Sequence, residues 1–451
     1  MRVIVWMFYL FTITSALISC KKFDNQEQSD LSKSILQKPV PQINILTFGN
    51  QILDEPKVDA QIKISLNEEE LYNGKIGIEI RGKSSQMFPK KQYGFETRDA
   101  NNEDLDVSLL EMPEEEDWIL QAPYSDKSLI RNVLIYDLSR EIERYASRVN
   151  FVELTLNDTI NGVYVLMEKL KRDKNRININ KLKSSEINGE DLTGGYIIKI
   201  DKSDNGFNLS NSFSSEHKPY DSSESNNVKF LYHTPDEEDI TLEQKQYISD
   251  YIKDFENALA SSSFRELEEG YSAYINTDSF IDFFLLNELA NNVDGYRIST
   301  FIVKDKNKKL SMGPIWDFNL AFGNADYCSG GDTSVWAYKF NERCPGDTFP
   351  VPFWWERLLE DPSFVSKVKN RWRQLRVNAF SHNSITQKID NYNEILELSG
   401  SIKRNFDRWS IIGTYVWPNN YIGGSYQQEI NYIKNWINKR LTWLDSNIES
   451  L

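Results

Sequence analysis

Two acids bracket a short apolar segment in the second half of the chain. Asp294 lies in Asn291-Asn292-Val293-Asp294-Gly295-Tyr296, and Asp317 in Gly313-Pro314-Ile315-Trp316-Asp317-Phe318-Asn319. Between them, residues 300–303 and 310–312 enclose a charged turn at 304–309, a pattern that predicts a β-hairpin. Strands that run out and back bring both acids to one end of it. Phosphoryl transfer from a nucleotide needs one acid to orient or deprotonate the acceptor hydroxyl and a second to hold Mg²⁺ across the phosphates. The spacing suits that division of labour. Each acid also has a plainer reading. Asp294 could open a turn with Gly295. Asp317 could be a buried turn acid, although Trp316 and Phe318 surround it with apolar surface, where an unpaired carboxylate is costly and a cation compensates it.

Other chemistries find little support. There are three histidines, none in a spaced pair, and no G-x-S-x-G elbow, which leaves no zinc hydrolase or Cys/His nucleophile pair. With 52 basic against 67 acidic side chains, the formal net charge of −15 repels phosphate backbones and argues against a nucleic-acid partner. At 451 residues, 40% hydrophobic and 13% aromatic, the chain can bury one large core or two fused lobes.

The elements that must position the acids change character along the chain. Residues 43–97 alternate in short runs that read as antiparallel strands, and a helix is expected over 128–145. A hairpin is expected over 151–168, and strands near 196–201 and 228–233, with a Ser/Asn-rich loop between them. Beyond about residue 242 the periodicity turns helical, at 244–259, 277–291, 353–359, 362–376, 385–398 and 427–447. The expectation is an α+β fold with a strand-rich N-terminal lobe over 42–240 and a helical C-terminal lobe over 241–451, the latter carrying the catalytic hairpin at about 291–323.

The ordered set Arg81-Gly82-Lys83-Ser84-Ser85, Phe88-Pro89-Lys90-Lys91-Gln92-Tyr93, Asp117-Trp118-Ile119-Leu120, Asp126 to Asn132, Gly162-Val163-Tyr164, Glu168, Asp294-Gly295-Tyr296 and Pro314 to Asn319 resembles the CotH kinase family, atypical kinases first associated with bacterial spore coats. The resemblance implies a two-lobed atypical protein-kinase-like fold that uses ATP and Mg²⁺, or Mn²⁺. It implies Asp294 as the catalytic acid and Asp317 as the metal ligand. Lys91, with Lys90 less favoured, resembles the strand lysine that neutralises phosphates; the plainer reading is an edge-strand guard. Arg81, Ser84 and Ser85 resemble a phosphate-facing turn, and Glu168 falls at the lobe hinge, near the adenine. The acceptor implied is a Ser or Thr hydroxyl on an exported or cell-surface protein. Arg131 and Asn132 could serve the site or merely bridge lobes. Two departures matter. Ser299 stands five residues past Asp294, where kinases place a metal-binding asparagine, so Asn319 is the expected substitute. The G-x-G-x-x-G loop is absent. These keep a rival open: an inactive pseudokinase-like surface module that binds a protein or glycan, with late aromatics such as Trp336, Tyr338, Trp354, Trp355, Trp409, Tyr415, Trp417 and Tyr421 as stacking surface or as core.

The N-terminus addresses the chain outward. Met1-Arg2, an apolar run over 3–18 and then Ser19-Cys20 predict a signal peptide over 1–19. The arrangement resembles a bacterial lipobox, which implies Cys20 as the acylated residue of an exported, membrane-anchored lipoprotein, a plain secretory signal or N-terminal anchor being the alternative. Residues 20–41 are polar and are expected to form a tether. The remaining cysteines, Cys328 and Cys344, close a Gly- and Asp-containing loop, and in an oxidising compartment a disulfide is expected. Two separate thiols are the alternative.

Overall fold

The structure is a computed structural model. It describes residues 40–451 apart from 204, 205 and 224–226. The expected signal peptide, Cys20 and nearly all of the tether lie outside the described residues.

Seven strands close into a barrel: β1 (Gln42–Leu46), β2 (Val58–Leu66), β3 (Glu69–Arg81), β4 (Gln92–Arg98), β5 (Asp117–Gln121), β6 (Val149–Leu156) and β7 (Thr159–Glu168), in the order β1-β2-β3-β4-β5-β7-β6. Alternation builds it, because successive side chains point to opposite faces. Ile62 and Ile64, Ile76 and Ile78, and Leu154 with Val152 all face the interior, where Phe95 and Trp118 complete the fill. All neighbouring pairs are antiparallel except the last, in which β1 runs parallel to β6 with Gln42 opposite Glu153. The barrel therefore has no free edge.

A single helix, α1 (Arg131–Glu141), interrupts the barrel strands. It begins three residues later than the periodicity predicts. Leu129 takes a left-handed φ of 66°, and Asp126 accepts the backbone N–H of Arg131 at 2.9 Å, which starts the helix there.

The second sheet draws strands from both sides of the expected boundary near residue 240. It comprises β8 (Tyr196–Ile200), β9 (Ser212–Ser214), β10 (Lys229–Thr234), β11 (Thr300–Lys304) and β12 (Ser311–Met312), in the order β12-β11-β8-β10-β9. β11 and β12 are the expected hairpin, with Ile302 opposite Met312. β11 also pairs with β8, Thr300 opposite Ile200. The sheet thus joins residues 196–234 to 300–312, and the barrel ends with β7. The described part of the 204–227 loop also contributes β9.

The rest of the chain is mainly helical: α2 (Leu242–Ala260), α3 (Thr277–Ala290), which packs against β12, α4 (Phe340–Arg343), α5 (Trp354–Leu359), α6 (Pro362–Arg376), α7 (His382–Leu398), α8 (Ser401–Arg408) and α9 (Tyr426–Glu449). α3 has no solvent-facing polar stripe and is buried along nearly its whole length, with Phe280, Phe283 and Phe284 against Trp354 and Trp355 and with Asp282, Asn287 and Glu288 as buried polar groups. The short α8, which periodicity did not predict, returns to the barrel. Asn405 Oδ1 accepts the N–H of Val163 at 3.1 Å, and Arg404 pairs with Glu153 at 2.5 Å. Gly162 is required at that contact, since its φ is 79° and a Cβ would stand 2.9 Å from the Asn405 Cα. No helix among the described residues is long and apolar enough to cross a membrane.

Candidate functional site

The hairpin does what its spacing predicts. α3 ends at Asn291, which adopts a left-handed φ of 42°, and the chain then runs through Asp294 into β11; Asp317 lies five residues beyond β12. Gly313 donates its N–H to the Phe301 carbonyl at 2.7 Å, so the segments leading to both acids emerge at the same end of the sheet. Tyr296, Ser299 and Asp317 all take left-handed φ, of 71°, 51° and 61°. Such strain in non-glycine residues persists only where the surroundings hold it, and it clusters at functional sites.

Those surroundings are identifiable. For Asp317 they come from one face of α1: Tyr136 Oη accepts the Asp317 N–H at 3.1 Å, and Asn132 Oδ1 accepts the Phe318 N–H at 2.7 Å. Asn132 and Tyr136 are one helical turn apart, which is why both reach the same loop. Arg131 secures the loop further on, donating to the Ala321 carbonyl at 3.0 Å while paired with Asp126. Asn132 and Arg131 thus serve as positioning residues. For Asp294, Tyr296 Oη donates to Glu288 at 3.0 Å and anchors the loop from below.

The two carboxyl groups have different company. Asp294 is buried, with Arg297 Nη2 at 3.2 Å and the Tyr327 hydroxyl at a long 3.5 Å. Burial raises it above the usual carboxylate range; Arg297 and Lys202 oppose the rise, and Asp201 and Asp347 add to it. The half-buried Asp317 carboxylate accepts no hydrogen bond and has no ion pair within 4.0 Å among the described residues. Burial is the first cause that pushes it up to about 7, followed by the negative charges of Asp294 and Asp201, against Arg81 and Lys202. The acids therefore sense each other.

Asp201 went unnoticed in the sequence. It ends β8, beside the start of β11, and its charge bears on both hairpin acids. The available signal was an apolar run, Tyr196 to Ile200, terminating in an acid and a lysine. Three carboxylates with an amide at Asn319, two residues past Asp317, are hard oxygen donors of the kind that Mg²⁺ or Mn²⁺ takes. They are looser than the two carboxylate triads found among the described residues, Asp106 with Glu115 and Glu116 and Asp221 with Glu342 and Glu356, whose ligand atoms lie within 4.8 Å of one another. A cation here would keep water or phosphate oxygens, as Mg²⁺ generally does.

The barrel contributes unevenly. Arg81, at the end of β3, lies in the field of Asp317, with its guanidinium 5.8 Å from the centroid of the Trp316 ring, which in turn stacks on Tyr136. Gly82 then turns with φ 89°, where a Cβ would collide with Ser85 Oγ at 2.2 Å. Ser84 and Ser85 sit in the short 3-10 turn that follows, and Lys83 Nζ donates to the Ser203 carbonyl at 2.5 Å, which brings this turn to the end of β8. Lys91 instead donates to the Gln86 carbonyl, and the cations that bear most on Asp317 are Arg81 and Lys202. Lys90 is buried inward against Tyr164, donating to the Val163 carbonyl and to Asn405. Glu168 is wholly buried, and its side chain is engaged by Arg148 at 2.7 Å and Tyr145 at 3.1 Å, with Arg176 at 3.7 Å. Nothing in that arrangement leaves its carboxylate open to a ligand.

Cys328 and Cys344 form a disulfide, Cα atoms 5.7 Å apart. It joins the segment bearing Tyr327 to the one bearing Asp347, and both of those residues bear on the Asp294–Arg297 pair. Of the late aromatics, Tyr338, Trp354 and Trp355 are core, whereas Tyr415 and Trp417 are exposed.

An α+β protein that gathers carboxylates and a guanidinium at strand ends has the makings of a phosphotransferase. The family model described as CotH kinase protein matches residues 78–444, and the chain belongs to that family. Membership implies a kinase-like phosphotransferase of the atypical kind. No curated protein sequence matches the chain.

Proposed function

We propose that the protein transfers the γ-phosphoryl group of ATP to Ser or Thr hydroxyls of an exported or cell-surface protein, within a two-lobed, kinase-like arrangement of barrel and helical body. Asp294 orients the acceptor hydroxyl and takes its proton as the oxygen bonds to γ-phosphorus and the bond to the β-phosphate oxygen breaks. Asp317, with Asn319, holds Mg²⁺ or Mn²⁺, whose charge would offset that of the phosphates. Arg81 faces the phosphates beside it, and Ser84 and Ser85 line the turn above; Lys91 braces that turn through Gln86.

The observation that carries this reading is the pairing of two unlike acids at one strand end. One is tied to a guanidinium and the other is unpartnered and pushed up to about 7 by burial and by like charge. Separated roles for neighbouring carboxylates follow from such separated environments. The test is transfer of label from γ-labelled ATP by the purified protein with Mg²⁺ or Mn²⁺, compared with Asp317→Ala and Asp294→Ala. Metal-dependent labelling lost in both variants is expected. Tight nucleotide binding with no transfer by the parent protein would replace the enzyme with a pseudokinase.

We propose further that the chain is an exported lipoprotein anchored through Cys20, on the strength of its N-terminal sequence. Metabolic labelling with a fatty acid should mark the protein and spare Cys20→Ala.

A further inference from the structure

A cavity of about 180 Å³ opens at Asp201 and Arg297, beside the acids. Phe207, Val228, Phe349 and Pro350 form its walls, while Asp201 and Arg297 form its polar end. Both end residues belong to the acidic site already described. Arg297 is the link: its guanidinium reaches Asp294 at 3.2 Å, Asp347 at 2.9 Å and the Phe349 carbonyl at 3.2 Å. Phe207 stands on the rim with 37% of its surface exposed, a large apolar side chain with water on one face.

We infer that this cavity receives the side chain adjacent to the acceptor hydroxyl and selects an apolar one, of leucine or phenylalanine size. The inference rests on the phosphotransfer reading of the same site and adds the substrate class to it. Consecutive Cα atoms are about 3.8 Å apart, so a residue flanking a hydroxyl held at Asp294 falls at the far end of Arg297, where the cavity lies. The size is right, because an apolar cavity of about 150 Å³ already admits a benzene ring. Charge is disfavoured from both directions. Asp201 repels an acidic side chain, and a basic one would meet Arg297, whose donors are already spent on Asp294 and Asp347. Two further polar side chains of the wall are engaged elsewhere: Lys229 donates to Ser214 Oγ at 2.7 Å, and Asn227 Nδ2 to the Ser215 carbonyl at 2.7 Å.

The test uses the whole protein, Mg²⁺-ATP and short peptides that carry one central Ser, with Leu, Phe, Gly, Lys or Asp placed in turn at each flanking position. For one of the two flanks, kcat/KM should be about ten- to a hundredfold higher with Leu or Phe than with Gly, the worth of burying one apolar side chain, and lower still with Asp or Lys. That ratio should shrink toward unity in Phe207→Ala, made at the exposed rim, and in Val228→Phe, which adds bulk to the wall. The ratio is internal to each variant, so a general loss of activity does not mimic the effect. Equal transfer to all peptides overturns the subsite and leaves the phosphotransfer reading standing. Preference for Lys or Asp overturns it as well. Labelling of no peptide, with no labelling of the protein itself, removes both.

Discussion

Two carboxylates in this protein, Glu288 and Asp317, live under opposite conditions. Glu288, on α3, receives the N–H groups of Ala337 and Tyr338 at 2.8 and 2.9 Å, the Tyr296 hydroxyl at 3.0 Å and Arg440 at 3.2 Å. Asp317 receives none of these and instead faces Asp294 and Asp201. Burial raises both, but around Glu288 every other major influence opposes the rise, whereas around Asp317 the next two reinforce it. A carboxylate with four donors, one of them a cation, is part of the framework. One left among its own kind is stabilised only when a positive partner arrives, and that is the condition of a site.

The contrast can be broken first at its structural end. Glu288→Ala strands Arg440 in the core without its partner and should cost about 3–5 kcal/mol, read as a lowered denaturation midpoint; a change within experimental error would dissolve the distinction. At the other end, Asp317→Asn should reduce phosphoryl transfer at least about a hundredfold yet leave the metal-free protein as stable as the parent or more so above pH 7, because it removes a repelled charge. Loss of folding in that variant would place Asp317 with Glu288. Replacing Cys328 and Cys344 by Ser should cost about 3 kcal/mol and should lower transfer more than nucleotide binding, since the disulfide borders the Asp294 side; unchanged transfer would separate that loop from the site.

A third carboxylate sharpens the comparison by lying between the extremes. Glu256 accepts from Ser215 Oγ and Trp354 Nε1, both at 2.9 Å, with no cation paired, and burial is the main cause that pushes it up to about 7. Between its ordinary range and about 7 the folded form keeps a proton that the unfolded chain releases, so stability should fall as pH rises through that window and level off above it, by about 2–3 kcal/mol in all. Glu256→Gln should flatten this slope in denaturant titrations run from pH 5 to 8. A parent protein whose stability does not fall across that range would show Glu256 to be ionised throughout.

The local parts of this design were legible in the residues. The turn between β11 and β12, the convergence of Asp294 and Asp317, and most helices follow from periodicity over short windows. What escaped was non-local. Asp201 becomes a site residue only because β8 pairs with β11, a strand that comes about a hundred residues later, and no pattern within Tyr196 to Ile200 announces that partner. The choice between Lys90 and Lys91 turned on which side of a strand entrance faces α8, itself a short helix whose contacts with β7 decide the matter. The division of strands between two sheets is non-local for the same reason: strands after Glu168 look like those before it, but their hydrogen bonds lead elsewhere.

The seam between β1 and β6 sets an order of events for a chain that emerges N-terminus first into the compartment where it folds. Gln42 and Glu153, bonded to each other across it, are 111 residues apart, so the earliest strand to emerge can pair at once with β2 on one flank and must wait on the other. Until β7, which ends at Glu168, slots between β5 and β6, the half-built cylinder shows two raw flanks to its neighbours, and it is in this interval that the chain is stickiest.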